Sequence, residues 1–64
     1  MFEHDLLREH FEQMLQAAES AAGRYESLAA AAADETARDQ FRRIARDEAR
    51  HVGLAERLLE IVGE

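Results

Sequence analysis

Two apolar stripes run through this chain at helical spacing, and they cannot share one straight helix. The first is Leu7, Phe11, Leu15, Ala18, Ala22, Tyr25, Ala29 and Ala32, with Met14 beside it. The second is Phe41, Ile44, Ala45, Glu48, His51, Val52, Ala55, Leu58, Leu59 and Val62. Steps of three and four mark one face of an amphipathic helix in each half. An unbroken helix, turning about 100° per residue, would carry Phe41 roughly 120° away from Phe11 and Ala29. A chain reversal brings the two stripes face to face instead. Helices are therefore expected over about residues 3–33 and 36–62, with a turn over about 33–36. Asp34 is the candidate N-cap of the second helix, Thr36 with Asp39 is a weaker capping-box variant, and Gly63 is a candidate stop.

The rest of the composition agrees with helix. Ala, Leu, Glu and Arg fill most positions and Pro is absent. Gly23 falls near the polar side of the first helix, where it costs about 1 kcal/mol relative to Ala without breaking the helix. The expected fold is all-α, a single domain over residues 1–64 forming an antiparallel two-helix hairpin. A chain of 64 residues without Cys has no disulfides or thiolate metal ligands to stabilise it. Metal and partner subunits remain. A hairpin leaves one side of each stripe uncovered, so two copies are expected to dimerise into a four-helix bundle.

The net charge of −6 argues against nucleic acid as a partner and is compatible with attracting cations or with simple solubility. All eight basic residues are Arg, and those of the second half interleave with Asp and Glu off the apolar stripe. No apolar run approaches membrane-spanning length, so a membrane partner is not expected. The start, Met1-Phe2-Glu3-His4-Asp5, has no basic segment leading into an apolar one. A signal peptide is therefore not expected, and the expected location is cytoplasmic, alone or within a cytoplasmic protein compartment.

Glu48 and His51 carry the chemistry. They lie one turn apart on the apolar face of the second helix, among Ile44, Ala45, Val52 and Ala55. A carboxylate placed there is costly unless it is paired or binds metal. The bland alternatives are an Arg-paired Glu and an ordinary boundary His. A turn near Ala33–Asp34 puts residues at equal height when their numbers sum to about 67, which selects Glu19 as a third candidate ligand. Glu12 and Glu26 are each displaced by seven residues, roughly 10 Å along the axis. Two hairpins would supply two copies each of Glu19, Glu48 and His51, the inventory of a dinuclear carboxylate bundle. Carboxylate and imidazole donors suit iron or manganese, with zinc also admissible. His4 and His10 lie far in height from Glu48 and are expected at the surface.

The stretches Glu19-Ser20-Ala21-Ala22-Gly23-Arg24-Tyr25 and Phe41-Arg42-Arg43-Ile44-Ala45-Arg46-Asp47-Glu48-Ala49-Arg50-His51 resemble the ferritin-like superfamily, rubrerythrin in particular. The short length is similar to two-helix half-ferritins, including encapsulated ferritins, which build a di-iron site across a dimer. The resemblance implies a ferroxidase that oxidises Fe(II) with dioxygen or peroxide, in iron storage or detoxification. It maps Glu19, Glu48 and His51 to metal ligands and Tyr25 to a tyrosine beside them. One departure stands out: Tyr25 follows Glu19 by six residues, where seven is the common family spacing. Alignment on Tyr25 would put Ala18 at the ligand position, whereas the height relation favours Glu19. An encapsulating shell as partner has no support in the sequence. The rival expectations are a non-catalytic helical oligomerisation module and a bundle holding a structural metal.

Overall fold

In the computed structural model, which describes residues 2–63, two helices pack antiparallel: α1 (Phe2–Ala31) and α2 (Glu35–Gly63). The described residues contain no strand. The molecule is a rod of 50 × 13 × 11 Å. Its length matches the roughly 45 Å of a 30-residue helix.

The reversal takes only residues 32–34. Asp34 closes it by the means expected. Its carboxylate accepts hydrogen bonds from the Thr36 N–H (3.4 Å) and the Ala37 N–H (3.3 Å). Its carbonyl accepts the first intrahelical bond of α2, from the Arg38 N–H at 3.0 Å. With Asp34 as cap, α2 begins at Glu35, one residue ahead of the expected start. The far side of the turn is held from α2. The guanidinium of Arg38 donates to the Ala32 carbonyl at 3.0 Å, and the last turn of α1 contains no basic residue of its own. A cation at that place offsets the partial negative charge of a helix C-terminus. Gly63 lies within α2 rather than beyond its end.

The seam between the helices is made of small side chains. Among the described residues, Ala18, Ala29, Ala45, Ala55 and Val62 are the buried apolar ones, and no large side chain is fully buried. Phe11, Leu15, Tyr25, Phe41, Leu58 and Leu59 are only half-buried. Alanine at the seam lets two backbones approach closely, which crowds bulky side chains to the flanks.

Two outcomes are expected. Replacing Asp34→Ala removes both cap bonds and lowers stability by about 1 kcal/mol, read as a lower thermal midpoint at fixed protein concentration. Gly23 and Gly53 have nothing within 4 Å of an added Cβ. Gly23→Ala and Gly53→Ala should each raise stability by about 1 kcal/mol and act additively, checked by urea denaturation.

Candidate metal site

Glu48 and His51 come together as their spacing requires. One turn apart on α2, they bring Nδ1 of His51 to 3.3 Å from Oε1 of Glu48. The Glu48 side chain is 24% exposed and that of His51 56%. The carboxylate therefore sits on the half-buried part of the helix, with the imidazole at the rim. Among the described residues, no protein group pairs with the other ring nitrogen. The pair can separate slightly to offer one oxygen and one nitrogen donor to a cation.

The two side chains form the α2 side of a groove of about 480 Å³, whose α1 side is Met14, Ala17, Ala18 and Ala21. Residues 14–21 of α1 and 48–51 of α2 thus lie at similar height along the rod, as a turn near Ala33–Asp34 requires.

Glu19 stands at the matching height but on another side of α1. Successive residues turn about 100°, so Glu19 lies roughly 160° around the helix from both Ala17 and Ala21. It is solvent-exposed and does not line the groove. The helix is regular through Gly23, with no change of register there. Ala18, 6% exposed, lies on the α1 wall of the groove that holds Glu48. Among the described residues, no three Asp, Glu or His side chains gather into a metal-binding group. The single chain supplies two donors.

Tyr25 lies on the facing stripe but nearer the turn. Its ring packs against Phe41, with centroids 6.1 Å apart. That contact is two turns of α2, roughly 10 Å, from Glu48. No hydrogen bond joins Tyr25 to Glu48 or His51 among the described residues. His4 and His10 are exposed, and the ring of His10 lies 5.8 Å from that of Phe11. The Arg and Asp residues of α2 are mostly solvated, with one ion pair between Arg50 and Asp47 at 3.5 Å.

One row of residues beside the groove does not stand out in the sequence. Leu7, Met14 and Leu28 on α1 fall at multiples of seven from Ala21, while Ile44 on α2 is seven residues from His51. All four of these large residues are exposed. Leu54 and Ile61, also exposed, extend the same side of α2. The groove thus lies within an apolar flank running along the rod. Seven-residue spacing was the available signal, obscured because these residues interleave with those of the inter-helix seam. Among the described residues, no helix is long and apolar enough to cross a membrane.

No known protein family, no curated protein and no solved structure matches the chain.

If Tyr25 is a packing residue, Tyr25→Phe should leave both thermal stability and metal uptake unchanged. Tyr25→Ala should cost on the order of 2 kcal/mol. Parallel thermal melts and metal titrations of the two variants check this.

Proposed function

We propose that this chain is half of a metal-binding helical bundle. Two copies join along the apolar flank, and the shared site binds Fe(II) and promotes its oxidation. The observation that carries the reading is the Glu48–His51 pair, 3.3 Å apart, in a groove bordered by exposed apolar residues. Surface area supports a second copy as the occupant of that flank. The hairpin exposes 5067 Å², against about 4200 Å² for a compact monomer of this length, and the excess of roughly 900 Å² is close to the 800 Å² each partner buries in a standard interface. The same heptad rows on both copies give the flank a means of packing against itself.

Pairing would assemble two Glu48 carboxylates and two His51 imidazoles. Hard oxygen and borderline nitrogen donors of this kind suit iron, manganese or zinc. Glu48 would hold the ion and favour its higher charge, because a carboxylate stabilises Fe(III) more than Fe(II). His51 would fix its position, and the apolar rim would limit water. Fe(II) is the substrate in this reading: each ion loses one electron, and two ions reduce one dioxygen to peroxide, or one peroxide to water, with two protons taken from solution. Iron storage or detoxification is the corresponding role.

A second reading has a specific observation in its favour. The α1 wall offers no carboxylate, as a bundle using its metal only as a brace would allow. Aerobic addition of Fe(II), with native mass, bound iron and oxygen consumption measured together, separates the two. The ferroxidase reading expects a two-chain mass, bound iron and oxygen uptake, with iron binding at least tenfold weaker in Glu48→Ala and His51→Ala. Metal-dependent pairing without oxygen consumption would replace it with the structural reading. No metal uptake, with assembly unchanged in Glu48→Ala, would sink both and leave an oligomerisation module. Leu54→Glu with Ile61→Glu should shift the pair toward monomer by at least tenfold in dissociation constant.

A further inference from the structure

The groove has donors on one wall only. Glu48 and His51 face Met14, Ala17, Ala18 and Ala21, and none of those four carries a nitrogen or oxygen side-chain donor. We propose that the site takes one divalent ion per two chains, and that Ala18 is the residue that limits it to one. This deepens the shared-site reading above and rests on it; a site closed by four protein donors corresponds to its structural-metal form rather than to iron oxidation.

Donor number is the first argument. Two Glu48 and two His51 supply four donors, the set a tetrahedral ion requires. Dinuclear bundles of this general type draw a further carboxylate from each of the two remaining helices. In this chain the corresponding wall is apolar, and the nearest acid, Glu19, is roughly 160° around α1 from Ala17 and Ala21 and about 100° from Ala18. The thioether of Met14 is a soft, weak donor and does not substitute for a carboxylate.

Charge gives the same answer independently. Two carboxylates balance one divalent cation. A second cation would leave two positive charges uncompensated beside alanine and methionine side chains, where no dipole or anion offsets their desolvation. The balance changes if position 18 carries a carboxylate. Ala18 is a buried lining residue of the groove that also holds Glu48, and a glutamate there would have to extend out of the seam toward the groove's open side. Ala18→Glu in two copies would add both the missing donors and two negative charges.

Titration of the whole chain with Co(II), followed by visible absorption and accompanied by light scattering, tests the proposal. Zn(II) calorimetry gives a second count of ions. Wild type should saturate at one ion per two chains, with the intense visible bands of tetrahedral cobalt, and Ala18→Glu should saturate at two. If Ala18→Glu loses its helical circular dichroism, Ala21→Glu on the same, less buried wall takes its place. Saturation of wild type at two ions per two chains would overturn the single-ion limit while preserving the shared site. A folded glutamate variant that still takes one ion would overturn the role assigned to the alanine wall. No binding by wild type, or one ion on each monomer, would overturn the shared-site reading and this inference with it.

Discussion

The close approach of α1 and α2 governs the rest of this molecule. Its seam is alanine at Ala18, Ala29, Ala45 and Ala55, with Val62 near one end. Helices that meet through methyl groups leave little space between them for leucine, isoleucine or aromatic rings. Those side chains are pushed outward, half-buried or exposed, and the hairpin cannot hide its apolar surface within itself. Burying a large aliphatic side chain stabilises by about 1.5–3 kcal/mol. The exposed row thus represents a substantial unused contribution that a second surface can recover.

The same constraint explains why the Glu48–His51 pair sits where it does. Glu48 shares the helical row of the buried Ala55 and Val62, but the small α1 residues beside it leave a groove, so its side chain stays 24% exposed and has a partner in His51. Bringing a second apolar flank over it would remove that solvent. In the proposed pairing, charge neutralisation would be a condition of assembly, and metal binding would be linked to it.

Much of the fold was legible because the relevant signals are local. The 120° phase conflict between Phe11 and Phe41 required a reversal, and Asp34 marked where the second helix starts. The candidate site was less legible because placing a residue on a helical hairpin takes two coordinates, height and azimuth. Glu19 satisfies height, but one residue beyond Ala18 it has turned out of the groove. Tyr25 satisfies azimuth, but its height matches Phe41 rather than Glu48. The sum rule fixes only the first coordinate, and the apolar stripe only the second. Residues meeting both conditions on α1 are Ala18 and its neighbours, whose lack of functional groups gave sequence reasoning no chemical reason to select them.

The connection over residues 32–34 contains no glycine or proline, and no described non-glycine residue adopts a positive φ. Its backbone can therefore enter a helix without strain. Straightening it would forfeit the Asp34 cap and the Arg38–Ala32 bond, interactions of about 1–3 kcal/mol each. Domain-swapped copies, each opened into a single long helix, are thus separated from the hairpin chiefly by the angular mismatch of the two stripes. The phase offset between Phe11 and Phe41 does more than call for a turn: it protects the compact topology against an exchange that the turn itself would readily permit.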